Sequence, residues 1–293
     1  MGAYVKFWGT RGSIPTPGSW TRVYGGNTSC VEIRFDDTLF ICDAGSGIRE
    51  LGKDLLERDP IPRDVHLFIT HTHWDHIQGF PFFAPAHAQD FKIHLYDIAG
   101  NGSSRHSLIS GQMTSSYFPV NFGDLQAGIE SKSIENGEIM INGVKVSCFP
   151  TNHPGGCYGY SFEKDGKKVS YVTDNEISLT HDDTFPDTEN KGRLRVMPEA
   201  LLQSVIDSDL LIIDAQYDEH EYAQKVGWGH SSSFSATDLG IQAGVQAVAL
   251  FHHDPECSDE EVDNKVETCR NRAAAYGAEL IIFAAREGVE LKL

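Results

Sequence analysis

Short apolar runs alternate with turn-rich segments through most of the chain. Seven of these runs are rich in β-branched and aromatic residues and are bounded by turn-forming residues, a pattern typical of β-strands. The predicted strands cover residues 31–35, 38–43, 65–70, 145–149, 168–173, 210–214 and 245–251. Strands dominate the first half of the chain, and strands alternate with helices in the second half.

Three helices are predicted from apolar spacing and end signals. One follows a capping box formed by Ser258 and Glu261, and its apolar positions recur at helical spacing. A second follows Ser235 and runs to the glycines at 240 and 244, and a third runs from near Ser46 to just before Pro60. The apolar positions are Val262, Val266, Cys269 and Ala273 in the first helix, and Ile48, Leu51, Leu55 and Leu56 in the third.

The chain of 293 residues is long enough to bury a core without disulfides, and no repeat, low-complexity tract or linker divides it. One domain spanning residues 1–293 is therefore expected. Residues 100–121 are rich in Gly and Ser and carry Tyr117 and Phe118. This composition fits either a surface loop without a function or a lid that faces a substrate. The six cysteines are scattered, so we expect reduced packing residues rather than disulfides.

The chain carries 24 basic and 42 acidic residues, a net charge of −18 with histidine neutral. Because Lys and Arg supply most of the non-specific affinity for phosphate backbones, stable binding to nucleic acid is disfavoured. No apolar stretch approaches the roughly 20 residues of a membrane helix, and the first residues lack the apolar centre of a signal peptide. The expected compartment is the cytoplasm, with no membrane partner. The sequence leaves open whether two copies form a homodimer.

Histidine is concentrated where a predicted strand ends. Directly after residue 70 the chain reads His71, Thr72, His73, Trp74, Asp75 and His76. Three imidazoles and a carboxylate can converge in a turn that leads into a helix. Such a mixed nitrogen and oxygen donor set suits zinc, manganese or iron better than magnesium or calcium. The segment therefore predicts a transition-metal site.

Four more apolar strands deliver an ionisable residue at their carboxyl ends. These residues are Asp43, Asp174, Asp214 and the pair His252 and His253. A rigid strand fixes the position of the residue that follows it, which is how α/β folds build sites. Because five strand ends repeat the same arrangement, we expect their side chains to meet in one site.

The segment from His71 to His76 resembles the HxHxDH signature of the metallo-β-lactamase fold superfamily. The later motif residues follow in order, and the resemblance extends over about residues 9–255. It implies an α/β fold, an αββα sandwich of two mixed β-sheets packed face to face with helices outside. It also implies two divalent metal ions per chain, with zinc expected and manganese or iron as alternatives.

The resemblance assigns a role to each matching residue. It implies that the first metal is held by His71, His73 and His153, and the second by Asp75, His76 and a late histidine. Asp174 resembles the carboxylate that bridges the two metals, and Asp43 a buried residue that orients the ligand loop. His252 is favoured as the late histidine because it directly follows the apolar strand, whereas His253 would point to the opposite side.

The branch of the superfamily is indicated by residues outside the metal set. Hydrolytic lactamases usually place cysteine where this chain has Asp174, and a bridging carboxylate suits two metals that clamp a phosphoryl group. The stretch from Asp214 through Gly229-His230-Ser231-Ser232 is similar to the ribonuclease Z and phosphodiesterase branch. That similarity implies catalysis by His230 as general acid, oriented by Asp214, together with Asp75.

The amino-terminal glycines, in residues 9–17 and 24–29, also resemble that branch. They would either let backbone N–H groups approach a phosphate or form hairpin turns. Ribonuclease Z enzymes carry a long arm between the residues that match His153 and Asp174, and only 21 positions separate the two in this chain. A small phosphodiester is therefore the expected substrate.

The predicted activity is hydrolysis of a 3′,5′-cyclic nucleotide by a hydroxide that bridges the metals. Asn27, Tyr117 and Trp228 are predicted substrate contacts, with Phe118 as a further stacking residue. One alternative is a ribonuclease Z-like endonuclease acting at RNA 3′ ends, and another is a hydrolase of lactones or thioesters. The remaining alternative is a metal-binding sensor without catalysis.

Overall fold

The computed structural model describes residues 2–58, 62–98, 104–177 and 194–293. In these ranges the chain forms two seven-stranded sheets, whose strands are numbered in chain order. In spatial order, the first sheet contains β14 (Glu290–Lys292), β1 (Ala3–Gly9), β2 (Cys30–Phe35), β3 (Thr38–Cys42), β4 (Asp64–Phe68), β5 (Lys92–Ile98) and β6 (Gly128–Ile134). The second sheet contains, again in spatial order, β13 (Ile281–Ala284), β12 (Ala247–Phe251), β11 (Leu210–Asp214), β10 (Lys167–Val172), β9 (Cys157–Lys164), β8 (Val144–Thr151) and β7 (Glu138–Ile141).

Both sheets are mixed. The run from β3 to β6 is parallel in the first sheet, and the run from β10 to β13 is parallel in the second. All other neighbouring pairs are antiparallel. Parallel neighbours need crossover connections, and each of these contains at least one helix. The helices are α1 (Ile48–Glu57), α2 (Trp74–Ile77), α3 (Arg105–Gly111), α4 (Glu199–Val205), α5 (Glu219–Tyr222), α6 (Ser233–Gln242) and α7 (Asp259–Ala275).

The central strands are buried on both faces. On β3, Phe40 and Cys42 pack in a core shared by the two sheets, whereas Leu39 and Ile41 pack with residues of α1. On β11 the alternation repeats, with its outer residues packed against α6 and α7. This explains why the predicted strands are apolar at nearly every position. It also confirms the predicted sandwich of two mixed sheets with helices outside.

The seven strands predicted from the sequence match observed strands with end points within two residues. Helix α7 is also confirmed, because Ser258 Oγ accepts the N–H of Glu261 and the four predicted apolar positions are buried. Helix α6 begins earlier than predicted, because Ser232 caps it by accepting the N–H of Ser235. In α1, Leu56 is 48% exposed, so its assignment to the apolar face is wrong. Leu56 directly follows the buried Leu55 and is turned about 100° away from it.

Residues 100–103 lie outside the described ranges. Residues 105–111 of the segment predicted as a loop form helix α3, so the loop prediction is wrong there, whereas residues 112–121 form turns and bends. The helix is anchored because Ile109 and the nearby Met113 are buried in the core beside the first sheet. None of the helices in the described ranges combines the length and apolar character needed to cross a membrane.

Candidate metal centre

Strand ends from both sheets bring the predicted ligands together. In the first sheet, β3 leads into Asp43, and β4 leads into the segment that contains His71 and His76. In the second sheet, the carboxyl ends of β8, β10, β11 and β12 lead to His153, Asp174, Asp214 and His252, and His230 lies in the loop before α6. Within the described residues, three groups of side chains have donor atoms close enough to hold a metal ion. They are His71, His73, His153 and Asp174; Asp75, His76 and His252; and Asp174, Asp214, His230 and His252.

Three of the strand-end residues have a left-handed backbone. The φ angles are 63° at Asp43, 48° at Asp174 and 60° at His252. This conformation is uncommon outside glycine, although Asp, Asn and His adopt it more readily than other residues. Each strained residue costs on the order of 1–3 kcal/mol. The left-handed turn directs each side chain into the site immediately after its strand. The backbone strain is therefore located at candidate functional residues.

Asp174 faces both candidate metal positions. Its Oδ2 lies 3.5 Å from His71 Nε2 and 3.6 Å from His153 Nε2. Its Oδ1 lies 3.1 Å from His76 Nε2 and 3.2 Å from His252 Nε2. One oxygen therefore faces each group of histidines, which is the arrangement expected of a bridging carboxylate.

The other donors complete the two groups. Asp75 Oδ2 lies 3.1 Å from His76 Nε2 and 3.2 Å from His252 Nε2. On the other side of Asp174, His73 Nδ1 lies 3.2 Å from His153 Nε2. The ring of His73 is exposed, whereas Asp75, His76 and His252 are buried. The exposed side of the site is therefore the one next to His73.

Hydrogen bonds select which ring nitrogen of two histidines is available to a metal. The carbonyl of Gly229 can only accept, so His153 Nδ1 carries the proton of their 2.8 Å bond. His76 Nδ1 likewise donates to Asp43 Oδ2 at 2.8 Å. The Nε2 atoms of both rings are left to face the cluster, and outer hydrogen bonds of this kind orient metal-binding histidines.

The donor set fits two transition-metal ions. Nitrogen and carboxylate oxygen donors converge, and His71 Nε2 and His76 Nε2 are buried without a hydrogen-bond partner in the described part of the chain. Buried polar atoms normally have such a partner. A pair of metal ions bound between the two groups would satisfy these nitrogens, because imidazole nitrogens are common ligands of zinc, manganese and iron.

Burial and neighbouring charges set the protonation states. Burial, assisted by His76, holds the pKa of His71 well below its usual range, and burial also lowers the pKa of His153. Burial alone would raise the pKa of Asp174, but the facing His252, His76 and His71 hold it well below its usual range. Neutral imidazoles and ionised carboxylates are the forms that bind metal.

His230 and Asp214 form a buried pair beside the cluster. His230 Nδ1 donates to Asp214 Oδ2 at 2.7 Å and lies 4.0 Å from Asp174 Oδ2. Burial alone would lower the pKa of His230, but Asp214 outweighs it and raises this pKa to about 9. A protonated imidazole at neutral pH can donate a proton to a leaving group. The same ring also belongs to one of the donor groups, so its role depends on whether it binds metal.

The amino-terminal glycine segment contacts the site directly. Ser13 donates its N–H to Asp75 Oδ2 at 2.8 Å. A Cβ atom at Gly12 would lie 2.4 Å from the ring of His252, so only glycine fits without displacing that ring. The sequence suggested a phosphate-binding role or a hairpin turn for these glycines. Close packing against two candidate ligands was not foreseen.

The other predicted residues occupy different surroundings. His253 is turned away from the cluster, and its Nε2 donates to the carbonyl of Ala285 at 2.9 Å. His252, the favoured histidine, is the one placed among the candidate ligands. Tyr117 is 78% exposed and Trp228 is 61% exposed. Asn27 is already engaged, because Glu287 binds its N–H and its side-chain amide at 2.6 and 3.0 Å.

Thr70 and Tyr171, two residues that support the predicted Asp43, were missed. Asp43 accepts hydrogen bonds from the N–H and hydroxyl of Thr70 and from the hydroxyl of Tyr171. Tyr171 lies within an apolar strand, and the one signal in the sequence was that a buried tyrosine hydroxyl usually needs a partner. Which residue that partner is depends on the packing of the two sheets.

The mixed-sheet sandwich and its strand-end donor set define a metal-dependent hydrolase of the metallo-β-lactamase fold. A family model described as a beta-lactamase superfamily domain matches residues 38–253, and the chain belongs to this family. Curated relatives of the chain include several ribonuclease Z proteins. Ribonuclease Z from Haloarcula marismortui is 24% identical over 99% of this chain and 96% of its own.

Solved structures show the same fold. The human tRNase Z short form, ELAC1, has a TM-score of 0.64 at 17% identity, with 98% of each chain covered. A diphosphatase from the PhnP family has a TM-score of 0.68 at 17% identity, with 99% of this chain and 98% of that chain covered. The match therefore extends over nearly the whole of this chain.

Proposed function

We propose that the protein is a phosphodiesterase that uses two divalent metal ions to hydrolyse a small phosphodiester, in the simplest case a 3′,5′-cyclic nucleotide. The observation that carries the proposal is the buried pair of His230 and Asp214, 4.0 Å from the two-sided carboxylate Asp174. A phosphodiester has a poor alkoxide leaving group that needs a proton, and this pair can supply one.

In this proposal, one metal is held by His71, His73 and His153, the other by Asp75, His76 and His252, and Asp174 contacts both. The ions, when bound, would act as Lewis acids on the phosphoryl group and would activate water. We expect zinc, with manganese or iron as alternatives. His230 delivers a proton from Nε2 to the leaving oxygen, because its Nδ1 is held by Asp214. Asp75 adds negative charge that favours the protonated form of His230.

A small substrate is favoured by the chain between His153 and Asp174. In this stretch β9 and β10 form a hairpin in which Lys164 pairs with Lys167, and this part of the chain is described throughout. The connection is therefore a tight turn and not an arm for gripping a transfer RNA. The net charge of −18 also opposes a long polyanionic ligand. The PhnP-family protein with the same fold is a diphosphatase, so its chemistry is likewise directed at a phosphate group.

Trp228 and Tyr117 are the proposed stacking residues for a base. Trp228 directly precedes Gly229, whose carbonyl binds His153, so its backbone adjoins the candidate metal centre, and its indole is exposed. Phe118 already packs edge-to-face on Phe82 with ring centroids 5.3 Å apart. Asn27 is a candidate substrate contact only through groups other than its N–H and side-chain amide nitrogen, because Glu287 binds these two.

The second candidate is an RNA 3′-end endonuclease. It is favoured by the similarity to ribonuclease Z from Haloarcula marismortui over 99% of this chain. Hydrolysis of cyclic AMP and cyclic GMP should therefore be measured beside a transfer RNA precursor, a lactone and a thioester, with zinc or manganese and with chelator. Chelator-sensitive turnover of a cyclic nucleotide supports the proposal, and cleavage of the RNA alone would replace it with the second candidate.

The role of His230 is tested by His230→Ala. Because general acid catalysis contributes typically 10²–10⁴-fold, turnover should fall by about that factor while two metals remain bound. His220→Ala is the control, since His220 is an exposed histidine of α5. Metal analysis of both variants decides the assignment, because loss of metal in His230→Ala would show that His230 is a ligand instead.

A further inference from the structure

Glu176 is a buried acid that lies two residues after Asp174 and takes no part in the proposed reaction. Its Oε1 accepts hydrogen bonds from the hydroxyl of Tyr222 at 2.8 Å and from the N–H of Gly227 at 2.7 Å. Its Oε2 accepts the N–H of Gly229 at 2.9 Å. One buried carboxylate therefore binds three donors, two of them from the backbone of the loop that precedes His230.

The backbone of Glu176 is fixed next to another candidate ligand. Its N–H donates to the carbonyl of Asn152 at 2.8 Å, and its carbonyl accepts the side-chain amide of Asn152 at 2.8 Å. Asn152 directly precedes His153. Glu176 is thus tied on one side to the strand end that carries His153 and on the other to the loop at Gly227 and Gly229.

The position of Gly229 determines the environment of His153. The Gly229 carbonyl accepts the hydrogen bond from His153 Nδ1 at 2.8 Å. A Cβ atom at Gly229 would lie 2.4 Å from that same nitrogen, so the loop and the ring are in close contact. Gly229 has a φ angle of 88°, which glycine adopts without strain. A small displacement of this loop would therefore move the carbonyl that orients His153.

We propose that Glu176 is a positioning residue for the metal centre. By holding the Gly229 N–H, it places the Gly229 carbonyl where it binds the Nδ1 proton of His153 and leaves Nε2 directed at the metal. Because His230 follows Gly229, the same contact fixes the start of the segment that pairs with Asp214. The inference concerns metal binding and therefore does not depend on which ester the enzyme hydrolyses.

The test compares three substitutions in the full chain. Glu176→Gln keeps the shape but replaces one acceptor oxygen with an amide that cannot accept the hydrogen bonds made there. Tyr222→Phe removes one donor to the same carboxylate and leaves both loop contacts intact. Asp209→Asn is the matched control, because Asp209 is a buried carboxylate that accepts bonds from Lys167, Lys168 and Gln246. It precedes β11, about 16 Å along that strand from Asp214.

The readouts are zinc affinity, measured by competition with a chelator, and urea unfolding of the metal-free protein. Glu176→Gln should displace the Gly229 carbonyl from His153 Nδ1 and so weaken binding of at least one zinc by about 10–100-fold, the usual effect when a ligand loses its outer hydrogen bond. Tyr222→Phe and Asp209→Asn should bind zinc as the wild type does, whatever stability they lose. If Glu176→Gln does not fold, Glu176→Asp, whose shorter side chain draws the carboxylate back from the Gly229 N–H, should weaken zinc binding. Wild-type zinc affinity in the folded variant, or equal weakening in Tyr222→Phe, would overturn the proposal.

Discussion

Asp43 should contribute strongly to the folding stability of the region that carries the candidate metal ligands. Its carboxylate accepts the N–H and hydroxyl of Thr70, Nδ1 of His76 at 2.8 Å and the hydroxyl of Tyr171 at 2.8 Å. Asp43 follows β3 of the first sheet, and Tyr171 lies on β10 of the second. The carboxylate therefore joins the two sheets directly beneath the segment that carries His71 and His76.

The size of the effect follows from the donors that lose their acceptor. In Asp43→Ala, three buried donors lose their acceptor: the Thr70 N–H, the His76 Nδ1–H and the Tyr171 hydroxyl. At about 1–3 kcal/mol for each unsatisfied donor, the variant should lose about 3–9 kcal/mol, a large part of the 5–15 kcal/mol typical of a folded protein. Tyr171→Phe removes one hydrogen bond to a charged acceptor and leaves no buried donor without a partner. Its free energy of unfolding should therefore fall by about 1.5–3 kcal/mol.

Both variants are measured by urea unfolding of the metal-free protein, which separates this effect from metal binding. The midpoint should shift while the slope stays the same, because the surface exposed on unfolding does not change. Tyr171→Phe serves as the second measurement in case Asp43→Ala does not fold. A loss below about 0.5 kcal/mol in Tyr171→Phe, the range of ordinary surface substitutions, would refute the reasoning.

Three further predictions concern the metal, the glycine contact and pH. Asp174→Ala should bind fewer than two metals per chain by elemental analysis, and retention of both would contradict the bridging role. Gly12→Ala should weaken zinc binding in a competition titration because its Cβ would reach the His252 ring, whereas Gly123→Ala, with open space at its Cβ, should not. Burial and the adjacent His94 lower the pKa of His66 to about 4, below the unfolded value of about 6.5. The unfolded state then binds more protons, so this contribution of about 3 kcal/mol is present above pH 6.5 and is lost as the pH falls towards 4. Urea unfolding at several pH values should show a smaller loss in His66→Gln, and an equal loss would contradict this account.

The strands and the ligand segments were predictable because their signals are local. A strand buried on both faces is apolar at successive positions, as β11 shows, and its end is marked by the first ionisable residue, Asp214. The spacing of His71, His73, Asp75 and His76 is also local, since the segment turns immediately after β4. Where local signals were weaker, the predictions failed. Helix α3 lies in a Gly- and Ser-rich segment without a clear helical pattern, and it is stabilised by the burial of Ile109.

The supporting contacts were not predictable, because each joins residues that are distant in sequence. Tyr171 and Asp43 are 128 positions apart, and Glu176 and Gly229 are 53 positions apart. Neither Tyr171 nor Glu176 stands in a sequence spacing that predicts a function. The hydrogen-bond partner of each residue is determined by the tertiary packing. A lone acid in a loop has many ordinary roles, and the role of Glu176 is visible only from the three donors around it.

The acidic residues around His76 favour a positive charge on its ring. Burial alone would lower the pKa of His76, but Asp75, Asp174 and Asp43 outweigh it and hold this pKa well above its usual range. The acids therefore favour a positive charge at His76, either as a proton on Nε2 or as a metal ion bound to that atom. Because one atom serves both, a metal ion and a proton compete for His76 Nε2. The same carboxylates therefore increase the affinity of the site for a divalent cation and its affinity for the proton that competes with that cation.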